Sequence, residues 1–581
     1  MNFLRNLLAA ILGFFIAIFL LFLLFLGIGA IIGSDDVVVV KPNSVLELDL
    51  SSPIKDYAPK DQNPLAQALE LDEEKLALDK IINAIDNAKT DENIKGISIK
   101  STLINAGVAQ TQAIRNKLEE FKESGKFIYA YNDIYTQKNY YLSSVADSLF
   151  LNPVGAIDFK GLSSEILYYK DFEDKYGIKM EVVRHGKYKS AVEPFLTNKM
   201  SDENREQITS FLQSIWSEMT NDISKSRNIS IEKLNEIADN SDGRNATIAQ
   251  EVNLIDAVIY ADQYDEILKT AINAKVEIIS LEDYIKSGKG RKSSIAKDKI
   301  AVIYAQGEII YGEGNENLIG QGIINKAIEK ARKDKKVKAI VLRVNSPGGS
   351  ALASELIWRE LELAKKEKPL VVSMGNLAAS GGYYIASNAN KIIAEPTTIT
   401  GSIGVFGAIP NIHEFSNDIG INAEQVSTNK SANYSLFEPM DKKFYDVTKE
   451  GVEQIYTTFV NRVATGRKMT FEQVDAVAQG RVWTGKEAIE KGLVDQLGGL
   501  EDAIKVAAEL AEVDNYRIRN YPSYKKDFKD AFKMMPFAKS QKEEILKDAL
   551  GDENYRLYNK INQMKNLKGI QARMPFIMNI Q

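Results

Sequence analysis

Ser380 stands in Gly375-Asn-Leu-Ala-Ala-Ser-Gly-Gly-Tyr-Tyr384, directly after the apolar run Leu370-Val-Val-Ser-Met374. A serine where a strand-to-helix loop gives way to the next helix can project its hydroxyl. Gly381 behind it offers a backbone N–H that no side chain obstructs. The same position equally suits a helix N-cap, a role serine often fills. Upstream, Val341-Leu-Arg-Val-Asn-Ser-Pro-Gly-Gly-Ser350 reads as a strand entering a Pro-Gly-Gly turn. Glycine there lets a backbone donor reach a developing oxyanion, which makes Gly349 a second candidate. A serine nucleophile also needs a base. The chain has two histidines, His185 and His413, and no cysteine. That leaves few candidates for a Ser-His-Asp triad and excludes disulfides, thiolate catalysis and Cys-built zinc sites. Lysine can replace histidine where burial lowers its pKa until a neutral amine exists. The segment Gly186-Lys-Tyr-Lys-Ser-Ala-Val-Glu-Pro-Phe195 supplies Lys189, which by itself reads equally as a solvated surface lysine.

The elements that must position these residues occur twice. Strand-like stretches at Val37–Val40, Val45–Leu50, Ile94–Ile99 and Phe127–Ala130 alternate with helical spacing from Leu71 through Ile85 and on to about Ser124. This alternation predicts an α/β fold with parallel strands. At a constant spacing of 243 positions, Ile97 meets Ile340, Tyr140-Tyr141 meets Tyr383-Tyr384, Ser144 meets Ser387, Pro153 meets Pro396 and Gly161 meets Gly404. With a slightly different spacing, Gly243-Arg244 echoes Gly480-Arg481. Two tandem repeats follow. They differ where the chemistry sits. Gln137, Lys138 and Asn139 occupy the first-half counterpart of Ser380-Gly-Gly, and Lys189 has no faithful second-half copy. A site shared between the halves would explain both absences.

At 581 residues the chain exceeds one ordinary core, and its net charge of −6 carries no nucleic-acid footprint. From Leu7 to Gly33 there is neither charge nor proline, a run longer than the roughly 20 residues that cross a bilayer. It is too long for the apolar core of a cleaved signal peptide and reads as a single transmembrane anchor. Arg5 in the arm before it puts that arm in the cytoplasm and the rest outside. The expected organisation is an arm at 1–6, an anchor at 7–33, a first repeat at 34–290, a polar linker at 291–299, a second repeat at 300–515 and a tail or helix at 516–581.

Ser346-Pro-Gly-Gly349, Ala378-Ala-Ser-Gly-Gly-Tyr-Tyr384, Thr400-Gly-Ser-Ile-Gly-Val405 and Tyr188-Lys-Ser-Ala-Val-Glu-Pro194 together resemble the long bacterial form of the signal peptide peptidase A (protease IV) family, peptidase family S49. The resemblance spans nearly the whole chain. It implies two Clp protease/crotonase-like repeats with parallel sheets and flanking helices. It further implies Ser380 as nucleophile, Lys189 as general base, Ser402 orienting the lysine amine, and Gly349 and Gly381 forming the oxyanion hole, with no cofactor and no metal. The implied substrates are signal-peptide remnants and other hydrophobic or unfolded peptides. The implied setting is a homotetramer on the periplasmic side of a bacterial inner membrane. Two other readings share these residues. One is a crotonase-type acyl-CoA enzyme using Gly349, which an exported, anchored domain disfavours. The other is a membrane-tethered scaffold that binds chains without cutting them, whose mark would be loss of Ser380 or Lys189.

Overall fold

Apolar, β-branched runs between helical segments build sheets covered on both faces, so their central strands are largely buried. In the computed structural model this describes both halves; the described residues are 5–6, 11–21, 38–59, 76–292, 294–432, 434–524 and 570–573. The first sheet runs Ala257–Val258, Ser148–Ile157, Phe127–Tyr135, Ile94–Ile99, Ser44–Leu48, Glu277–Ser280, and every neighbouring pair is parallel. The second runs Val482–Thr484, Ile399–Gly401, Leu370–Ala379, Val337–Ser346, Lys299–Gln306, Arg517–Tyr521. Only its Ile399–Gly401/Val482–Thr484 pair is antiparallel.

The repeat is visible at the level of element boundaries. Helices Leu78–Thr90 and Val108–Lys122 recur as Gln321–Lys333 and Ala351–Lys365, at the same spacing of 243 as the sequence matches. Leu78, Ile81, Ile82 and Ile85 bury one helical face against the sheet, the i, i+3, i+4, i+7 pattern of an amphipathic helix. Side-chain locks recur too. Tyr140 donates to the Leu254 carbonyl (3.0 Å) as Tyr383 does to Leu493 (2.9 Å). The ion pair Arg227–Asp256 recurs as Arg467–Asp495.

A buried ion pair joins the halves. Arg343 Nη2 lies 3.0 Å from Asp56 Oδ1, and Gln110 Nε2 donates to the same oxygen (3.3 Å). Nearby, Thr397 Oγ1 donates to Gln112 Oε1 (2.8 Å). A third, mixed sheet also crosses between them, in the order Leu318–Gly320, Glu308–Ile310, Gly348–Ser350, Ile570–Arg573, Val405–Asn411, Lys179–His185.

Three expectations change. Residues 38–40 form no strand; the first strand begins at Ser44, with Ile94–Ile99 on one side of it and Glu277–Ser280 on the other. The strand expected at Leu370–Met374 continues to Ala379, so a single residue separates it from the helix Gly381–Ala386. The described parts of the tail are strands, not a helix: Arg517–Tyr521 pairs with Lys299–Gln306, and Ile570–Arg573 joins the third sheet. The expected anchor at 7–33 lies mostly outside the described residues, of which 11–21 are helical. Among the described residues no helix is long and apolar enough to cross a membrane.

Candidate active site

Lys189 reaches the second half on a strand. Lys179–His185 pairs antiparallel with Val405–Asn411, from His185 opposite Val405 to Lys179 opposite Asn411. Gly186 then turns the chain at φ +98, where a Cβ would lie 2.5 Å from the Gln479 carbonyl oxygen. Tyr188 N donates to that carbonyl (2.9 Å). From the long helix Asp202–Arg227, Gln207 Nε2 donates to the Tyr188 carbonyl (3.2 Å) and to Ser190 Oγ (2.8 Å). Val482 N donates in turn to Gln207 Oε1 (3.3 Å). The lysine stem runs between two glycines of the other half. A Cβ on Gly480, at φ +83, would sit 2.7 Å from Lys189 Cα, and one on Gly404 would sit 3.3 Å from Lys189 Cδ. Only glycine leaves that passage open.

Ser380 is held in a strained turn, with φ +55 and ψ −116. Such a backbone costs about 1–3 kcal/mol and persists only where its surroundings fix it. Here Ser380 N donates to the Gly401 carbonyl and Tyr384 N to the Ser380 carbonyl, each at 2.8 Å. Its hydroxyl makes no cap bond to the helix behind it. The N-cap alternative therefore fails. Ser380 Oγ lies 2.9 Å from Lys189 Nζ instead. Ser402, itself at φ +50, meets the same amine with Oγ at 3.0 Å and its carbonyl at 3.3 Å.

Lys189, Ser380 and Ser402 are all fully buried. Burial pushes the Lys189 amine well below the ordinary lysine value, since water no longer stabilises its charged form. Its contacts are two hydroxyls and a carbonyl, so no carboxylate counters that shift. A neutral amine beside a serine hydroxyl can accept its proton. The surface-lysine alternative is excluded by this burial.

Gly348 and Gly381 meet face to face. A Cβ on Gly348 would lie 2.7 Å from Gly381 N, and one on Gly381 would lie 3.2 Å from Gly348 Cα. Gly348 N donates to Ser346 Oγ (3.1 Å), which takes it out of the set of oxyanion donors. Gly349 sits next in the strand, opposite both Ile309 and Ala572. Among the described residues no cluster of three or more His, Asp or Glu side chains is placed to hold a metal ion.

The first half is filled at the corresponding place. Gln137 Oε1 accepts from Lys160 N (3.0 Å) and Gly161 N (2.8 Å), while its Nε2 donates to the Gly161 carbonyl (2.9 Å). Lys138 Nζ donates to the Ala106 carbonyl (2.6 Å). Phe159, the counterpart of Ser402, packs edge-on to Tyr140. Sequence reasoning missed Gly186, Gln207, Gly404 and Gly480 as parts of the site. For Gly480 a signal existed, because Gly480-Arg481 keeps the repeat's Gly243-Arg244 pair; Gly404 sits inside the Thr400–Val405 motif.

A family model described as peptidase family S49 matches residues 120–276 and 362–514, one stretch in each half. Protease 4 of Haemophilus influenzae is 39% identical over 447 residues, covering 74% of this chain and 72% of its own. Protease 4 of Salmonella typhi is 39% identical over 457 residues, covering 76% and 73%. The chloroplastic serine protease SPPA of Arabidopsis thaliana is 34% identical over 449 residues, covering 75% and 66%.

Proposed function

Since the chain belongs to peptidase family S49 and is a serine-type peptidase, we propose that it is a membrane-anchored endopeptidase with a Ser380–Lys189 dyad, degrading cleaved signal peptides and other hydrophobic peptides. The observation that carries this reading is the 2.9 Å approach of Lys189 Nζ to Ser380 Oγ in a fully buried setting. Neutral Lys189 takes the Ser380 proton as Oγ attacks the scissile carbonyl. The amides of Gly349 and Gly381 stabilise the oxyanion. Protonated Lys189 then gives its proton to the leaving amine, and an acyl-enzyme remains. Water, deprotonated by the same amine, releases the acid and restores Ser380. Ser402 holds the amine in line through Oγ and its carbonyl.

The first repeat, 34–290, supplies the lysine, and the second, 300–515, supplies the serine. Each is a Clp protease/crotonase-like unit, joined by the linker at 291–299 and followed by the tail at 516–581. The anchor at 7–33 holds both at the periplasmic face of a bacterial inner membrane, where apolar peptides left by secretion collect. We infer a homotetramer from the family; the exposed apolar side chains of Phe172, Tyr176, Ile419 and Ile421 suit a contact between subunits of whatever number.

Hydrolysis of an apolar peptide by the full chain in detergent tests the dyad. Ser380→Ala and Lys189→Ala are each expected to lower kcat by about 10⁴-fold while the protein stays folded. Full activity in Lys189→Ala would place the base elsewhere. For the anchor, the full chain should sediment with membranes and a chain beginning at residue 38 should not.

A further inference from the structure

Gly243-Arg244 and Gly480-Arg481 are one pair of the repeat, yet the two arginines do different things. Arg244 is exposed and serves its own turn. Among the described residues its Nη1 donates to the carbonyls of Asn240 and Ser241 (each 3.3 Å) and to Asp242 Oδ1 (3.0 Å). Arg481 instead reaches into the other half. Its Nη1 donates to Glu206 Oε1 (2.7 Å) and to the Tyr188 hydroxyl (3.2 Å), and that hydroxyl donates to Glu206 Oε2 (3.0 Å). The Tyr188 hydroxyl and the Arg481 guanidinium hold the Glu206 carboxyl below the usual carboxylate range, so the pair stays charged.

The guanidinium also meets two aromatic faces. Its carbon lies 4.9 Å from the centre of the Tyr188 ring and 4.3 Å from that of Trp483, within the reach of a cation–π contact. One ring adjoins the base, because Tyr188 directly precedes Lys189. The other adjoins the nucleophile. Trp483 Nε1 donates to the Val477 carbonyl (2.9 Å), and a Cβ on Gly401 would lie 2.9 Å from Trp483 Cδ1. The Gly401 carbonyl in turn accepts from Ser380 N (2.8 Å). The backbone of the same turn joins the same two sides. The Gln479 carbonyl accepts from Tyr188 N (2.9 Å), Gly480 N donates to the Ile403 carbonyl (2.8 Å), and the Arg481 carbonyl accepts from Ser402 N (2.7 Å). A change of the Arg481 side chain leaves those three bonds in place and removes only its hold on Tyr188, Glu206 and Trp483.

We propose that Arg481 is a positioning residue for the peptidase reaction: set between Tyr188 and Trp483 and paired with Glu206, it holds the Lys189 loop of the first half against the Ser380 and Ser402 side of the second. The inference rests on the Ser380–Lys189 reading above. Arg481 transfers no proton; it fixes the 2.9 Å approach of Lys189 Nζ to Ser380 Oγ. A misplacement of about 1 Å between reacting groups costs about 100-fold in rate. Geometry between base and nucleophile matters in the chemical step, so the loss falls on kcat and spares KM.

The test is hydrolysis of an apolar peptide by the full chain in detergent, with kcat expressed per active site labelled to completion by a fluorophosphonate. Wild type is compared with Arg481→Gln, Tyr188→Leu and the double variant, and Lys189→Ala is assayed per mole of chain. Arg481→Gln is expected to label as completely as wild type, with kcat per site about 10- to 100-fold lower and KM within about two-fold. Tyr188→Leu should lose a similar factor, and the double variant no more than the worse single one, because both remove the same contact. An unchanged kcat per site in Arg481→Gln, with Lys189→Ala inactive, overturns the positioning role and leaves the dyad standing. A loss seen only as fewer labelled sites overturns it by assigning Arg481 to folding, and a raised KM at constant kcat does so by assigning it to substrate binding. Losses that multiply in the double variant overturn the clamp. Full activity in Lys189→Ala overturns the dyad, and the positioning role with it.

Discussion

A lysine can serve as a base only if its charge is expensive where it sits. Lys189 is surrounded by Ser380, Ser402 and the carbonyl of Ser402, with no carboxylate to hold a proton on it. Burial favours the neutral form, so its pKa lies well below the ordinary value. The direction fixes the pH dependence. Below its pKa the amine is protonated and cannot take the serine proton; above it the base is present. Peptide kcat/KM should therefore fall on the acid side and reach its plateau below about pH 10.4, the usual lysine pKa. A profile still rising through that pH would mean an unshifted base. Lys189→Arg should be as inactive as Lys189→Ala, because a guanidinium stays protonated at any working pH. Ser402→Ala keeps the base but loses one of its positioning contacts, and kcat should drop by about 10- to 100-fold with KM little changed, a part of what a general base contributes.

At the scale of elements, position comes from backbone that leaves room. The Lys189 stem threads past Gly404 and Gly480, and Ser380 projects from a one-residue turn between strand and helix. Gly480→Ala would place a methyl 2.7 Å from Lys189 Cα at a φ of +83, strain of about 1–3 kcal/mol. Its urea midpoint and its peptide turnover should both fall; an unchanged midpoint would show the passage to be wider than described. The pattern of the sequence carried the strands Ile94–Ile99 and Leu370–Met374 and the helices beside them, because apolar periodicity and burial agree there. It did not carry the third sheet. Gly348–Ser350 has no strand propensity of its own, and it is extended because Glu308–Ile310 pairs with it on one side and Ile570–Arg573, about 220 positions away in sequence, on the other. The continuation of Leu370–Met374 to Ala379 was hidden likewise, since Gly375 and Asn376 read as a loop until Ile399–Gly401 supplies a partner strand.

Across the whole molecule, the two repeats differ so that the proposed site takes Lys189 from one half and Ser380 from the other. The constant spacing was legible from matched pairs such as Tyr140 and Tyr383, whose hydroxyls meet equivalent carbonyls. That Lys189 and Ser380 complement each other was legible only as a double absence; the close approach needed the cross-half pairing of Lys179–His185 with Val405–Asn411. Both residues come from one chain. Co-expressed Ser380→Ala and Lys189→Ala chains should therefore stay inactive, whereas recovered hydrolysis would mean that subunits exchange halves of the site. The halves are also tied by Asp56 and Arg343, both buried. Asp56→Ala strands a buried guanidinium and should cost about 3–5 kcal/mol in chemical denaturation. A loss within about 0.5 kcal/mol would indicate that the neighbours Ser373 and Met374 satisfy Arg343 unaided.

The most direct measurement of the central claim, that a neutral Lys189 activates Ser380, is the rate of fluorophosphonate labelling as a function of pH, with the labelled residue mapped by mass spectrometry. The predicted result is a single adduct on Ser380, formed at a rate that rises with pH to a plateau in wild type and falls to background in Lys189→Ala. An adduct on another residue, or undiminished labelling of Ser380 in Lys189→Ala, would contradict it.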